Sequence, residues 1–285
     1  MSINLLLEQI KNGEHAACMN CPWSPKKSQN VAFGVSCDEH GVNWRKGEKP
    51  ISMVVLQDPA GTTPAKTGRL CAVHNVENPS DKTAQFDIKL WKATVPLNSN
   101  SAEPDGYLKH HYWTNAIMHG KSECKRYEQE LARRSCREIL AKQIEYLSPK
   151  IIIAKGKLAV TTFFDIGLID IPWEKVKEGF NSGAWCTAKQ GWREIKHELM
   201  IFCTYHTSIS TINRNIAPRY KEEIIEPLLE EKIKDLPNQQ AAMELLDQYS
   251  NLNLTTDKGV RYLLNHWLDI GRIIRLTNQR ENTIG

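Results

Sequence analysis

Asp58 is the side chain best placed to act on a ligand. The apolar run Met53-Val54-Val55-Leu56 reads as a buried strand, and it stops abruptly at Gln57, Asp58, Pro59, Ala60 and Gly61. In open parallel sheets, ligands bind outside the carboxyl ends of the strands. A carboxylate at that place meets whatever the sheet binds. Asp-Pro after a strand is also an ordinary turn, so the position alone decides nothing. The second chemically capable set is sulfur. The chain has eight Cys, and in a cytoplasmic protein these point to metal binding more than to disulfides. Cys18 and Cys21 have the close spacing of a ligand pair. Cys37 and His40 complete Cys-x2-Cys-x15-Cys-x2-His, a zinc pattern.

These residues need elements to hold them. Apolar runs predict strands at Ile51–Leu56, Tyr112–Met118, Lys150–Ala154 and Leu199–Tyr205. From 123 to 147, apolar residues recur at Tyr127, Leu131, Ile139, Leu140, Ile144 and Leu147, one face of a helix. Lys157–Phe164 predicts another helix. Strands alternating with helices imply βαβ units and a mainly parallel, four-stranded sheet covered on both faces, a three-layer α/β/α sandwich. Pro79–Asp105, with a strand-like run at Phe86–Trp91, reads as a surface insertion, and Ile171–Arg193, with Trp173, Trp185 and Trp192, as a second one. Tyr220–Leu236 and Thr256–Leu276 are helix-patterned, the latter through Leu263, Leu264, Trp267, Leu268, Ile270 and Ile274. The expected organisation is an N-terminal helix and metal-bound arm over 1–50, an α/β domain over 51–220 and a helical C-terminal extension over 221–285.

Composition narrows the function classes. No apolar run approaches the ~18 residues needed to span a bilayer. Ser2 to Glu14 mixes Leu and Ile with Glu and Lys and has no cleavage-site pattern, which predicts an amphipathic helix in a cytoplasmic protein. The net charge of +4 is unevenly spread. Between Lys109 and Lys157 eleven Lys/Arg face five Glu, whereas from Lys221 to Asp247 eight acidic residues face three basic ones. A basic middle suits a polyanion, and an acidic tail suits a solvated helical face. Ordinary surface helices explain the same charges equally well.

Four segments together resemble the uracil-DNA glycosylase superfamily, over about Cys18 to Lys221. Cys18-Met19-Asn20-Cys21 followed by Ser28–Gly34 resembles the amino end of the iron–sulfur (family-four) members. Gln57-Asp58-Pro59 resembles the water-activating motif of the family-one enzymes. Trp113-Thr114-Asn115-Ala116 resembles the strand whose Asn reads an extruded base. Thr204-Tyr205-His206-Thr207-Ser208 resembles the closing motif whose His stabilises the departing base. The tract from Cys136 through Pro149-Lys150-Ile151-Ile152-Ile153-Ala154-Lys155-Gly156 also matches the iron–sulfur members.

The resemblance implies hydrolysis of an N-glycosidic bond in DNA, leaving an abasic site. Breaking that bond develops positive charge on the sugar and negative charge on the base. Asp58 would stabilise the cation and orient water, and His206 would donate to the base oxygen. The Asn115 amide offers a donor and an acceptor to a Watson–Crick edge. The nucleotide must leave its stack, at a cost of a few kcal/mol. Thr62, Thr63, Ser208 and Ser210, with Arg214, are candidates to hold flanking phosphates. No Lys stands at an evident nucleophile position, which favours hydrolysis over Schiff-base chemistry. Singly, Asn115 and His206 each have an ordinary structural explanation.

Two departures from the uracil pattern concern the base pocket, which Gln57 is also expected to line. Ala60 stands where a Tyr excludes 5-substituents, and Cys71 stands where a Phe stacks on uracil. Stacking on an aromatic contributes ~1–3 kcal/mol, so its loss together with the larger pocket points to a bulky 5-substituted pyrimidine, such as the hydroxymethylated or glucosylated cytosine of some phage DNA. The protein would then act in anti-phage defence. In the rival reading, Phe86 or Trp91 replaces the missing platform and the enzyme repairs uracil. A third reading is a non-catalytic DNA-binding member. The resemblance adds Cys124 and Cys136 to Cys18 and Cys21 as ligands of a [4Fe–4S] cluster. This competes with zinc on Cys18, Cys21, Cys37 and His40. DNA is the expected partner of a monomer.

Overall fold

The computed structural model describes residues 3–27, 32–33, 49–57, 82–95, 111–120, 125–207, 226–236, 239–250 and 257–284. Strand β2 (Ser52–Leu56) is flanked in parallel by β3 (His111–Asn115) and by β5 (Ile151–Lys155), the central strand. Strand β7 (Ile195–Thr204) continues the parallel order beside β5, and β6 (Trp185–Trp192) closes that edge antiparallel to β7. The sheet order is therefore β3-β2-β5-β7-β6, five strands rather than the four expected. All residues of β2, β3 and β5 are buried, as parallel strands covered on both faces must be. A short antiparallel ladder joins β1 (Ala32–Phe33) to β4 (His119–Gly120).

One face of the sheet carries helices α1 (Ile3–Lys11), α2 (Ala16–Met19), α4 (Arg126–Leu147) and α5 (Lys157–Asp165). Their buried side chains, among them Leu6, Ile10, Ile139, Ile144 and Phe163, meet Met53, Val55 and Ile152. Helix α4 stops where Ser148 turns left-handed (φ 45) and donates its N–H to the Ile144 carbonyl, and Pro149 follows. A buried amide locks the layer to the sheet: Gln143 Oε1 accepts from Tyr112 OH at 2.8 Å and from Thr114 Oγ1 at 3.0 Å. Tyr127 and Leu131, expected on the apolar face of this helix, are instead exposed.

The opposite face is covered by α3 (Lys82–Thr94), α7 (Glu226–Lys234), α8 (Gln239–Ser250) and α9 (Asp257–Ile284). Two expectations change here. The strand-like run Phe86–Trp91 is helical, and it is no surface insertion, since Phe86, Leu90 and Trp91 are fully buried against the sheet. Trp91 packs on His111, Trp113 and Trp267, with centroids 4.2, 5.8 and 4.9 Å away. The second supposed insertion, Ile171–Arg193, contains α6 (Trp173–Glu178) and the edge strand β6. The helical C-terminal region is present, and its apolar residues Leu263, Leu264, Trp267 and Ile270 belong to the same core as Val54, Trp113 and Ile153.

Candidate active site

The carboxyl ends of the four parallel strands bring the predicted positions together. Gln57 follows β2, Asn115 ends β3, Gly156 follows β5, and Tyr205-His206-Thr207 follow β7. Leu56 is in register with Asn115, and the Leu56 and Gln57 carbonyls accept from the N–H groups of Ala116 (2.8 Å) and Ile117 (3.0 Å). On the other side, the Gly156 N–H donates to the Thr204 carbonyl at 2.8 Å. Gly156 has φ +91, and a Cβ there would lie 2.9 Å from His206 Cβ and 3.1 Å from Gln57 Cδ. A residue without a side chain is needed both for that backbone and for that approach.

Asn115 is fully buried at this edge. His206 is partly buried, and its enclosed Nδ1 has no hydrogen-bond partner among the described residues. Burial, and secondarily the charge of Lys155, pushes the His206 pKa down to about 3. Its imidazole is therefore neutral at neutral pH and able to donate one N–H. Asp58, Ala60, Thr62, Thr63, Cys71, Ser208, Ser210 and Arg214 lie outside the described residues.

Three groups that escaped the reading of the sequence surround the motif after β7. Lys155, fully buried, places Nζ 2.5 Å from Asp87 Oδ1, and Asp87 Oδ2 accepts from Thr207 Oγ1 at 2.7 Å. His266 from α9 links Thr204 Oγ1 (2.8 Å from Nδ1) to the Phe180 carbonyl (2.8 Å from Nε2). The carbonyl can only accept, so Nε2 carries the proton and Nδ1 takes the threonine's. The His266 ring lies parallel to that of Tyr205. Asp87 was hidden because its helix reads as a strand, and Lys155 because a charged residue ends the apolar run. No signal within the sequence pairs either with His206.

The basic middle is partly internal. Lys155 and Arg133 are buried, the latter bonded to Glu130 and to Asp165 at 2.7 Å. Arg134, Arg137 and Lys157 border an open surface cleft with Phe164 and Trp173, and Lys157 directly follows Gly156.

The predicted thiols gather elsewhere, on the α4 face of the sheet. Cys18, Cys21 and Cys136 are all buried and free. The Cys136 and Cys21 thiols share a hydrogen bond, which lowers the Cys21 pKa and raises that of Cys136. The Cys18 thiol, pushed up to about 11 mainly by burial, also feels Cys21. Among the described residues, no group of three His, Cys, Asp or Glu side chains is arranged to hold a metal ion. Cys124, Cys37 and His40 lie outside those residues. Cys186 is exposed and Cys203 buried, without assigned roles.

A mainly parallel α/β sandwich with amide and imidazole groups at its carboxyl edge is the build of an enzyme that works on a ligand held above its strands. The chain belongs to the uracil DNA glycosylase superfamily, whose family model matches residues 78–229. Members of that superfamily are DNA glycosylases, hydrolases acting on DNA. The match contains Asn115, Gly156 and His206, and it begins after Gln57 and Asp58 and ends before α8 and α9. No curated protein matches the chain. Among the described residues, no helix is long and apolar enough to cross a membrane.

Proposed function

We propose that this protein hydrolyses the N-glycosidic bond of a flipped-out pyrimidine carrying a bulky 5-substituent, such as glucosylated hydroxymethylcytosine of phage DNA. It leaves an abasic site and serves in defence against phage. One observation carries the glycosylase part of this reading: Gln57, Asn115 and His206, far apart in sequence, all stand at the carboxyl edge of one sheet, where Gln57 and His206 both close on Gly156. In this reading Asn115 reads the Watson–Crick edge, and neutral His206 donates to the base oxygen as negative charge develops there. Asp58, one residue beyond Gln57, orients the attacking water. Gln57, Ala60 and Cys71 border the base, and Thr62, Thr63, Ser208, Ser210 and Arg214 hold the phosphates.

The preference for a modified base rests on Ala60 and Cys71. Burial of Phe86 and Trp91 in the helical core supports it, because neither is free to act as a substitute platform for uracil. The bond between Lys155 and Asp87 supports simple hydrolysis, because that amine is engaged. Incubation with duplexes containing uracil, cytosine, hydroxymethylcytosine or its glucosylated form decides between targets. Glucosylated base should be released, with alkali-labile strand breaks. Release of uracil alone would defeat the modified-base reading. Asp58→Ala and His206→Ala should each abolish excision with DNA affinity retained.

For the sulfur site we propose a [4Fe–4S] cluster on Cys18, Cys21, Cys136 and Cys124, a reading supported by the bond between the Cys21 and Cys136 thiols. Zinc on Cys37 and His40 would leave Cys136 unused. Such a cluster would be structural, tying the N-terminal arm to α4. Purified protein should be brown with iron and sulfide present; zinc without iron would exclude it.

A further inference from the structure

The most unusual interior feature is a charged couple beside the site. Lys155 ends the strand at the middle of the sheet, has no exposure, and lies between the rings of Trp113 and Trp267, 5.6 and 5.3 Å from their centroids. Its partner Asp87, on α3, is 5% exposed. Burying two charges costs several kcal/mol per ion before their attraction is counted, and replacing such pairs by apolar residues is often neutral or stabilising. Stability alone is thus a weak reason for this pair. Its position is more informative: Lys155 precedes Gly156, against which His206 packs, and Asp87 holds the hydroxyl of Thr207, which follows His206.

We propose that Lys155 and Asp87 are positioning residues of the excision site: the pair fixes Thr207, and with it the backbone carrying His206, and sets the ion-paired Lys155 amine beside the imidazole. This rests on the glycosylase reading given above. The cation acts in two ways. It opposes protonation of His206, which burial already disfavours, so the ring remains a neutral donor. It also adds favourable potential where negative charge develops on the departing base. The Thr207 hydroxyl, donated to Asp87, is not free to donate to a phosphate. Among the described residues, the charge acting on the imidazole is that of Lys155 from β5, bonded to Asp87 from α3. Tyr205, preceding His206, stacks on His266 from α9, itself kept neutral by burial, and Gln57 from β2 carries no charge.

The test separates geometry and charge from folding. Lys155→Met and Asp87→Asn should each lower thermal stability, because each leaves an uncompensated buried charge. The double variant Lys155→Met/Asp87→Asn removes both charges and keeps an acceptor for Thr207. It should regain most of the lost Tm, bind abasic-site duplex as the parent does, and still excise base about 100-fold more slowly in single turnover. In nitrogen-15 spectra, its His206 ring should titrate about one pH unit higher than in the parent. A double variant with recovered Tm and parental rate, or with an unmoved His206 titration, overturns the proposal. Should the double variant fail to fold, Thr207→Val removes only the hydroxyl bond. Slower excision at unchanged DNA affinity supports the pair's role, and an unchanged rate overturns it. If the parent protein releases no base from any duplex, the glycosylase reading fails, and the His206 titration alone decides whether the couple sets the ring's charge.

Discussion

Gly156 is where backbone conformation and site geometry meet. Its φ of +91 is a region that side chains rarely adopt, and any Cβ would press on His206 and Gln57. With ψ 174, this glycine-only region costs a residue with a side chain of order 1–3 kcal/mol, which a folded domain tolerates. The catalytic cost should be larger, because misplacing a reacting group by about 1 Å can cost about 100-fold in rate. Gly156→Ala should therefore lower the melting temperature modestly and cut single-turnover excision by about that factor, with abasic-site DNA binding retained. A parental rate would mean that the close approach of these two side chains to Gly156 is not required for chemistry. His206 gives a second residue-scale expectation. Because its pKa lies at about 3, excision should not follow an ordinary histidine titration between pH 5.5 and 7.5.

At the scale of elements, the four parallel strands were legible in sequence because burial on both faces demands largely apolar runs, as in Met53-Val54-Val55-Leu56 and Ile151-Ile152-Ile153. The positions of Asn115 and His206 followed from that frame together with the short motifs around them. Strand β6 was not legible. It is an edge strand alternating exposed and half-exposed residues, so Cys186, Thr187, Ala188, Lys189 and Gln190 carry no apolar signal. Helix α3 was misread because Phe86 and Trp91 are strand formers by propensity; the spacing of Phe86, Leu90 and Trp91 is helical, and burial decided the outcome. Asp87 went unseen with it. Helix α9 was legible as an amphipathic helix, but sequence gives no sign of which surface it covers. It covers the sheet: Trp267 contacts Trp91 and flanks Lys155, and Arg275 bonds the Thr94 carbonyl at the end of α3. Trp267→Ala should therefore cost about 3–5 kcal/mol, read as a fall in the urea midpoint at unchanged slope. A loss below about 1 kcal/mol, the usual range for surface sites, would mean that α9 is an appendage.

Across the whole molecule, the two layers share a dependence on neutral histidine. His119 lies buried on the α1 side, where it bonds the Lys11 backbone, and His266 is buried on the α9 side. Burial pushes both pKa values down to about 4, from 6.5. Between those values the unfolded chain binds a proton at each position and the folded chain does not. The stability they contribute is therefore complete above pH 6.5 and falls as the pH drops toward 4, at about 1.4 kcal/mol per pH unit for each ring. The Glu130 carboxyl, held at about 2 chiefly by its bond to Arg133, loses its contribution only below the ordinary carboxylate range. The window from pH 6.5 to 4.5 thus isolates the histidines. Urea midpoints should decline steadily across it, and His119→Gln should flatten part of the slope. His206, at the carboxyl edge of the sheet, titrates below that window and adds to the same trend. A stability profile level from pH 7.5 to 4.5 would require these rings to accept protons within the fold, and the neutral-imidazole chemistry assigned to His206 would lose its physical basis as well.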